Sequence, residues 1–235
     1  MTEHTHKQFD AEMEAIRSGV LTMGGLVETQ LSRAIVLVEG KADDGVAGQV
    51  GADEKTINQM QVDMDLACSQ IIAKRQPAAI DLRMVLTVTK IVNDLERVGD
   101  ETKKVAKKAA QAAQNARLAQ VRYFDLSRAA GRAKEMLQLS LDAFARLDVN
   151  AAAEVIDLDD EIDAAFSAIM RQLISYMMED PRTISPALEI IFMAKSIERI
   201  GDHAKNIAEA VVQVVKGIGV RHATAEQIRA EVAEE

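Results

Sequence analysis

The sequence predicts an all-α protein built from two tandem, pseudo-repeated antiparallel three-helix bundles. Helix-forming residues are plentiful, aromatic residues make up 3%, prolines number three and tryptophan is absent, a composition that favours helix over sheet. Apolar residues recur every three or four positions along long stretches, as in amphipathic helices. The string Leu95–Asp100 also returns 102 residues later as Ile197–Asp202, which indicates two copies of one unit.

The first half contains the pattern of three helices. Apolar periodicity predicts a helix from Phe9 to Val38, which Gly40 ends. We expect a loose connection after it, because three glycines dilute the next stretch: Gly45, Gly48 and Gly51. The second and third helices are predicted at Asp53–Lys74 and Asp81–Leu118, with Pro77 marking the turn between them.

The second half repeats this plan. Its three helices are predicted at Asp125–Leu147, Ala151–Met178 and Ser185–Lys216. We place the first bundle at residues 1–118 and the second at residues 119–235, joined near residues 118–124. The apolar pattern shortens beyond Gly217, so the C-terminal tail is expected to be a loosely docked or frayed helix.

The two halves are related by nearly constant sequence offsets. The third helices align with an offset of 102, which pairs Lys103 with Lys205. The second helices align with an offset of 105, which pairs Ile57 with Ile162. The small difference between the offsets is accounted for by short differences in loop length.

Charge and composition argue against several classes of protein. The formal net charge is -9 and neither half is basic, so nucleic acid is not an expected partner. The single cysteine, Cys68, excludes an internal disulfide and a four-cysteine zinc site. The polar stretch Met1–Asp10 does not resemble a secretion signal, and no apolar run of about 18 residues predicts membrane insertion. We therefore expect a cytoplasmic protein.

The repeated motif provides the candidate site. Glu96 and Asp100 lie four residues apart, as do Glu198 and Asp202, so each pair shares one helix face. Like charges at this spacing oppose the helix by roughly 0.2–0.5 kcal/mol. Because this penalty occurs twice, we expect a positive group to bind between the acids. Each pair lies about 100° around the helix from the apolar stripe, a position that suits the rim of a groove.

Two interpretations of these acids follow from the residues alone. One is a solvated face with local ion pairs, such as Asp100 with Lys104, or with Arg97 and Arg199 as neutralising neighbours. The other is a metal site, for which oxygen ligands favour magnesium, manganese or iron. Further ligands are candidates on the second helices and beside the motif: Asp63, Asp65, Asp159, Asp160, Asp163 and His203.

Glycines accompany both acid pairs. Gly99 and Gly201 lie inside predicted helices, where glycine costs about 1 kcal/mol relative to alanine. Two matched glycines therefore indicate the close approach of another helix or of a ligand beside the acids.

Sequence motifs of enzymes are not found. No glycine-rich phosphate loop follows a strand, and no Gly-x-Ser-x-Gly string occurs. The four histidines are scattered along the chain. We therefore predict no catalytic residues.

Several strings together resemble the PhoU family, the phosphate-uptake regulators of bacteria. The resemblance runs from about Phe9 to Arg221. It is strongest in the two Glu-Arg-(Val/Ile)-Gly-Asp strings and in three further stretches: Thr22–Glu28, Ile72–Pro77 with Asp81–Arg83, and Tyr176–Ile184.

The resemblance implies paired three-helix bundles, commonly a homodimer, and a regulatory function. Such a protein connects the ATPase subunit of the phosphate ABC transporter with the phosphate sensor histidine kinase. It holds the kinase off in high phosphate, modulates uptake and associates with the membrane through its partners. Some members bind iron or zinc clusters, which assigns metal binding to Glu96, Asp100, Glu198 and Asp202, with iron, zinc, manganese or magnesium as candidates. The alternative is a metal-binding structural or storage protein without a signalling role.

Overall fold

The computed structural model describes residues 2–43, 45–113 and 124–217, and all regular structure in them is helical. There are six α-helices in these ranges: α1 Thr2–Val38, α2 Val46–Arg75, α3 Ala79–Ala113, α4 Phe124–Arg146, α5 Val149–Glu179 and α6 Ile184–Lys216. A short 3₁₀ turn, Pro181–Thr183, precedes α6. The predicted all-α class is confirmed.

The helices form two three-helix bundles that lie side by side. Helices α1–α3 pack on one another in the first half, and α4–α6 do so in the second. The bundles meet mainly where α3 packs against α6, with further contact between α1 and α4. One hydrophobic core runs through both bundles, with Leu95, Phe144 and Ile197 among its fully buried side chains. The predicted tandem bundles are therefore confirmed, and they share a core.

Local signals end the helices near the predicted positions. Helix α2 ends at Arg75, and Gln76 adopts a left-handed conformation just before Pro77. Asp148 caps α5, since its Oδ1 accepts hydrogen bonds from the backbone N–H groups of Asn150 and Ala151. Gly217 ends α6 with a φ of 74°, a conformation that glycine adopts at little cost.

The loose connection predicted before the second helix is shorter in the structure than in the prediction. Helix α2 begins at Val46 rather than Asp53 and includes two of the three glycines. Val50 is fully buried in this added part, and its carbonyl oxygen accepts a hydrogen bond from Nε2 of Gln30 at 3.1 Å. These contacts with α1 offset the low helix propensity of glycine. The predicted helix end at Leu118, the tail beyond Gly217 and all of the predicted junction except Phe124 lie outside the described residues.

Within the described ranges, no helix combines the length and the apolar character needed to cross a bilayer.

Cys68 is buried in α2, and burial raises the pKa of its thiol. A buried thiol with a raised pKa packs as a small apolar side chain.

Candidate functional site

Close packing at two glycines brings the second and third helices of each bundle together beside the acidic motifs. A Cβ atom at position 99 would lie 3.3 Å from Cδ1 of Ile57, and one at position 201 would lie 2.9 Å from Cδ1 of Ile162. The glycines thus admit an isoleucine from the neighbouring helix against the backbone. The predicted close approach is confirmed, and the approaching element is a helix.

In the first bundle, the motif on α3 meets a buried carboxylate from α2. Glu54 is only 6% exposed, and its Oε1 accepts a hydrogen bond from Nδ2 of Asn58 at 2.9 Å. Its Oε2 lies 2.9 Å from Nζ of Lys103. The charges of Glu54 and Asp100 both act on Glu96, and we call these three acids the first acidic cluster.

The electrostatics of Glu96 show the crowding of negative charge in this cluster. Burial raises the pKa of Glu96, and the neighbouring charges of Asp100 and Glu54 raise it further. The guanidinium of Arg97, with Nε 3.5 Å from Oε2 of Glu96, opposes this shift in part. The net pKa of Glu96 still lies above its ordinary value.

In the second bundle, two acids from α5 join the motif on α6. Asp159 is 6% exposed, and its Oδ2 lies 2.6 Å from Nζ of Lys205. Burial raises the pKa of Asp163, with further contributions from Asp159 and Glu198. Burial likewise raises the pKa of Asp202, followed by the charges of Glu198, Asp159 and Asp163. We call these four residues the second acidic cluster.

Glu198 has one oxygen paired and one free within the second cluster. Its Oε1 lies 2.5 Å from Nζ of Lys195, one turn earlier on α6. Its Oε2 is buried and has no hydrogen-bond partner among the described residues. A buried carboxylate oxygen without a partner is costly, so this atom has an unfilled capacity to bind a cation.

The two clusters correspond residue by residue through the repeat. The offset of 105 carries Glu54 to Asp159 and Asn58 to Asp163, and the offset of 102 carries Lys103 to Lys205. The second cluster therefore has a carboxylate where the first has an amide. This substitution is the main chemical difference between the sites.

The candidate ligands on the second helices are confirmed in part. Asp159 and Asp163 lie in the second cluster, whereas Asp160 is exposed and affects Asp163 only through its charge. The two candidates of the first bundle lie elsewhere, since Asp63 bonds to Gln59 and Asp65 lies near Cys68. Sequence reasoning missed Glu54, although applying the offset of 105 to Asp159 leads directly to it.

The basic neighbours make contacts that differ from those predicted. Lys104 pairs with Glu101 at 2.9 Å, so the expected pair of Asp100 with Lys104 is wrong. Arg199 reaches across the bundle interface to Oε1 of Glu101 at 3.2 Å. Glu101 attracts both cations because it is a buried acid at the contact of α3 with α6.

His203 is held at the same interface. Its Nδ1 lies 2.8 Å from Oδ1 of Asp94, which also accepts a hydrogen bond from Nδ2 of Asn206 at 3.2 Å. One ring nitrogen of His203 is therefore committed to α3. The residue is a contact between the bundles, and it lies near enough to Glu96 of the first cluster to lower the pKa of that acid.

The donor types of both clusters fit a hard or borderline cation. Carboxylate oxygens suit magnesium, manganese and iron, and the free Oε2 of Glu198 lies among them. Among the described residues, no group of three or more histidine, cysteine or acidic side chains has the geometry of a metal site. Three lysines contact acids of the clusters instead: Lys103, Lys195 and Lys205.

Comparison with known proteins places this chain in a family. The PhoU domain matches twice, over residues 20–109 and 126–211. The chain is 44% identical over 233 residues to the phosphate-specific transport system accessory protein PhoU homolog of Pseudomonas aeruginosa, covering 99% of this chain and 95% of that protein. It is 41% identical over 228 residues to the accessory protein PhoU of Escherichia coli K12, with 97% and 93% covered.

Solved structures agree with the sequence matches. The crystal structure of PhoU from Pseudomonas aeruginosa superposes with a TM-score of 0.85 at 45% identity, covering 89% of this chain and all of that one. The phosphate transport system regulatory protein PhoU from Streptococcus pneumoniae gives a TM-score of 0.82 at 27% identity, with 90% and 99% covered. The fold, the doubled domain and these similarities together show that the chain belongs to the PhoU family.

Proposed function

We propose that this protein is an accessory regulator of the phosphate transport system and a negative regulator of the phosphate-starvation response. The observation that supports this most strongly is the match to the Pseudomonas aeruginosa accessory protein over 99% of the chain. The Streptococcus pneumoniae protein with the same fold is described as a phosphate transport system regulatory protein. We assign no catalytic step to the chain.

We further propose that the protein lies in the cytoplasm and bridges two membrane complexes. One partner is the ATPase subunit of the phosphate ABC transporter, and the other is the phosphate sensor histidine kinase. The two bundles present related helix faces and share one core, so a contact on one bundle can affect the other. Coupling between two binding sites needs a structural change that both contacts bias, and packed helices with a shared core can supply one. The bridging protein would act as a homodimer.

We also propose that the acidic clusters bind cations of the iron, zinc, manganese or magnesium type. The support is the matched pair of carboxylate clusters, together with the buried free oxygen of Glu198. When bound, such a cation would neutralise carboxylates from two helices, and it would so stabilise the packing of α2 on α3 or of α5 on α6. The residues of the chain would hold it through Glu96, Asp100, Glu198 and Asp202.

A gene deletion tests the regulatory function. The strain lacking the gene should express phosphate-starvation genes in phosphate-rich medium, and a plasmid copy should restore repression. Tagged protein should also co-purify with the ATPase subunit and the kinase, and sedimentation should give the mass of a dimer. Continued repression in the deletion strain, with no second copy of the gene present, would contradict the regulatory proposal. It would favour the alternative of a structural or storage protein that binds metal.

A further inference from the structure

Helix α6 presents one exposed stripe whose two parts differ in chemistry. Ile184, Leu188 and Phe192 follow one another at intervals of four residues and are 43%, 42% and 53% exposed. Lys195 and Arg199 continue the stripe at intervals of three and four, and their side chains are about half exposed. Residues at this spacing share one helix face. The stripe is therefore apolar over its first two turns and cationic over the next, and we call these five residues the α6 stripe.

The apolar part of the α6 stripe includes an aromatic ring at the surface. Adjoining exposed apolar side chains with a charged rim are typical of protein contact sites. Nζ of Lys108 on α3 lies 4.8 Å from the centre of the Phe192 ring and 2.6 Å from Oε2 of Glu189. Lys108 therefore borders the ring on the side of α3 and orients it by a cation–π contact.

The repeat shows that the bundle fold does not require this surface. The offset of 102 carries Leu188 to Leu86, which is also exposed on α3. The aromatic ring and two of the cations have no counterpart in the first bundle, where other residue types occur: Lys90 for Phe192, Asn93 for Lys195 and, across the bundle contact, Ala210 for Lys108. Both bundles pack in the same way without these features, so a binding function explains them better than packing does.

The charge of the α6 stripe favours an acidic partner. Lys195 pairs with Glu198 and Arg199 pairs with Glu101, but both acids are nearly buried, whereas the cations are about half exposed. An approaching protein therefore meets the ammonium and guanidinium groups first, although the formal net charge of the chain is -9. Acidic side chains complement these groups. Because none of the five stripe residues is acidic, two copies of the stripe do not complement each other.

We propose that the α6 stripe docks an acidic amphipathic helix of a partner protein. Apolar side chains of that helix lie against Leu188 and Phe192, and its carboxylates lie one or two turns away against Lys195 and Arg199. The stripe is about 22 Å long, which suits a helix of four turns that packs along α6. This inference rests on the proposed bridging function and names the surface that meets one of the two partners.

Binding of purified partners to the immobilised full chain tests the surface. The probes are the ATPase subunit of the phosphate transporter and the phosphate sensor kinase in detergent, each titrated by biolayer interferometry. Phe192→Asp and Leu188→Asp should each weaken the binding of one of these proteins by at least about tenfold. Leu86→Asp makes the same change at the equivalent exposed leucine and should leave that interaction unchanged. If one α6 variant fails to fold, the other makes the test alone.

The cationic part of the stripe predicts a dependence on salt. Raising NaCl from about 50 mM to about 500 mM should weaken wild-type binding to the same partner, because exposed charges are screened. An affinity that does not change with salt would contradict an acidic partner.

The outcomes separate this inference from the proposal that it rests on. If both partners bind the wild type and both α6 variants equally well, the bridging function stands and the docking surface is wrong. If neither partner binds the wild type, both proposals are wrong. If Phe192→Asp instead converts a dimer into a monomer in sedimentation and leaves both partners bound, the stripe contacts a second copy and the inference is overturned.

Discussion

Nη1 of Arg199 on α6 lies 3.2 Å from Oε1 of Glu101 on α3, which makes a salt bridge between the two bundles. Glu101 is only 5% exposed and also pairs with Lys104. Its burial raises its pKa, but hydrogen bonds from Lys104, Ser196 and Arg199 outweigh burial, so the net pKa lies below its ordinary value. The contact of Glu101 with Ser196 has its equivalent, through the offset of 102, in the contact of His203 with Asp94. Polar pairs at equivalent positions thus fix the two bundles against each other.

Loss of both cations that face Glu101 should weaken the protein more than the two single changes together. Either Lys104→Ala or Arg199→Ala leaves one half-exposed partner in place and should cost roughly 1 kcal/mol or less. The double variant leaves a buried carboxylate with Ser196 alone and should cost about 3–5 kcal/mol. Urea unfolding of the four proteins measures this coupling. Additive changes would show that Glu101 does not depend on these two cations.

A bulky side chain at position 201 should disrupt the packing of α6 on α5. Gly201→Leu places atoms where Ile162 lies and should lower the free energy of unfolding by about 1–3 kcal/mol. Gly131 is a matched control, since it lies in α4 with no atom within 4 Å of a Cβ there. Gly131→Leu should leave stability unchanged or raise it by up to about 1 kcal/mol. Equal Tm values for both variants would contradict the close packing at Gly201.

The half-buried carboxylate of Asp65 should make the stability of the protein depend on pH in a defined way. Burial raises the pKa of Asp65, and its buried Oδ1 has no hydrogen-bond partner among the described residues. The folded protein therefore takes up this proton at a higher pH than the unfolded chain, so ionised Asp65 opposes folding at neutral pH. That opposition disappears as the pH falls through the folded pKa towards the unfolded value.

Asp65→Asn should therefore raise the Tm at neutral pH. Its advantage over the wild type should shrink as the solution is acidified through the folded pKa of Asp65. Thermal unfolding of both proteins across a pH series measures the difference. A lower Tm at neutral pH, or an advantage that grows on acidification, would show that the ionised carboxylate is favourable in the fold.

The second acidic cluster should bind cations more tightly than the first. It has four carboxylates, whereas the first has three and an amide at Asn58. Asn58→Asp supplies the missing carboxylate and should tighten the weaker of the two Mn²⁺ binding steps roughly tenfold. It should also lower the Tm without Mn²⁺, because the new charge lies beside Glu54. An unchanged titration curve would show that position 58 does not face the bound cation.

Much of the fold can be predicted from sequence because the determining signals are local. Apolar periodicity and Pro77 place the second and third helices, and the repeated motif places the two halves. The start of α2 is harder to predict, because helix propensity alone disfavours a stretch with Gly48 and Gly51. The contact of Gln30 with Val50 decides it, and this contact joins residues of different helices.

The candidate site shows the same limit. The four repeated acids are visible in the sequence, since their spacing is a property of one helix. Glu54 is not, because its position beside Glu96 depends on how α2 packs on α3. The sequence also suggests a pair of Lys104 with Asp100, whereas the structure pairs Lys104 with the buried Glu101, an acid at the contact of α3 with α6. Only the repeat offset, applied to every polar residue, would have identified the full clusters.

The most direct test measures phosphate-starvation gene expression in phosphate-rich medium. The only copy of the gene in these cells carries alanine at positions 96, 100, 198 and 202, and the variant protein is first shown to be folded and normally abundant. A matched strain carries Gly131→Leu. Derepression in the quadruple variant alone is the predicted result, and it would place the acidic clusters in the signalling mechanism. Continued repression in phosphate-rich medium would contradict that role, even if the wild-type clusters bind cations.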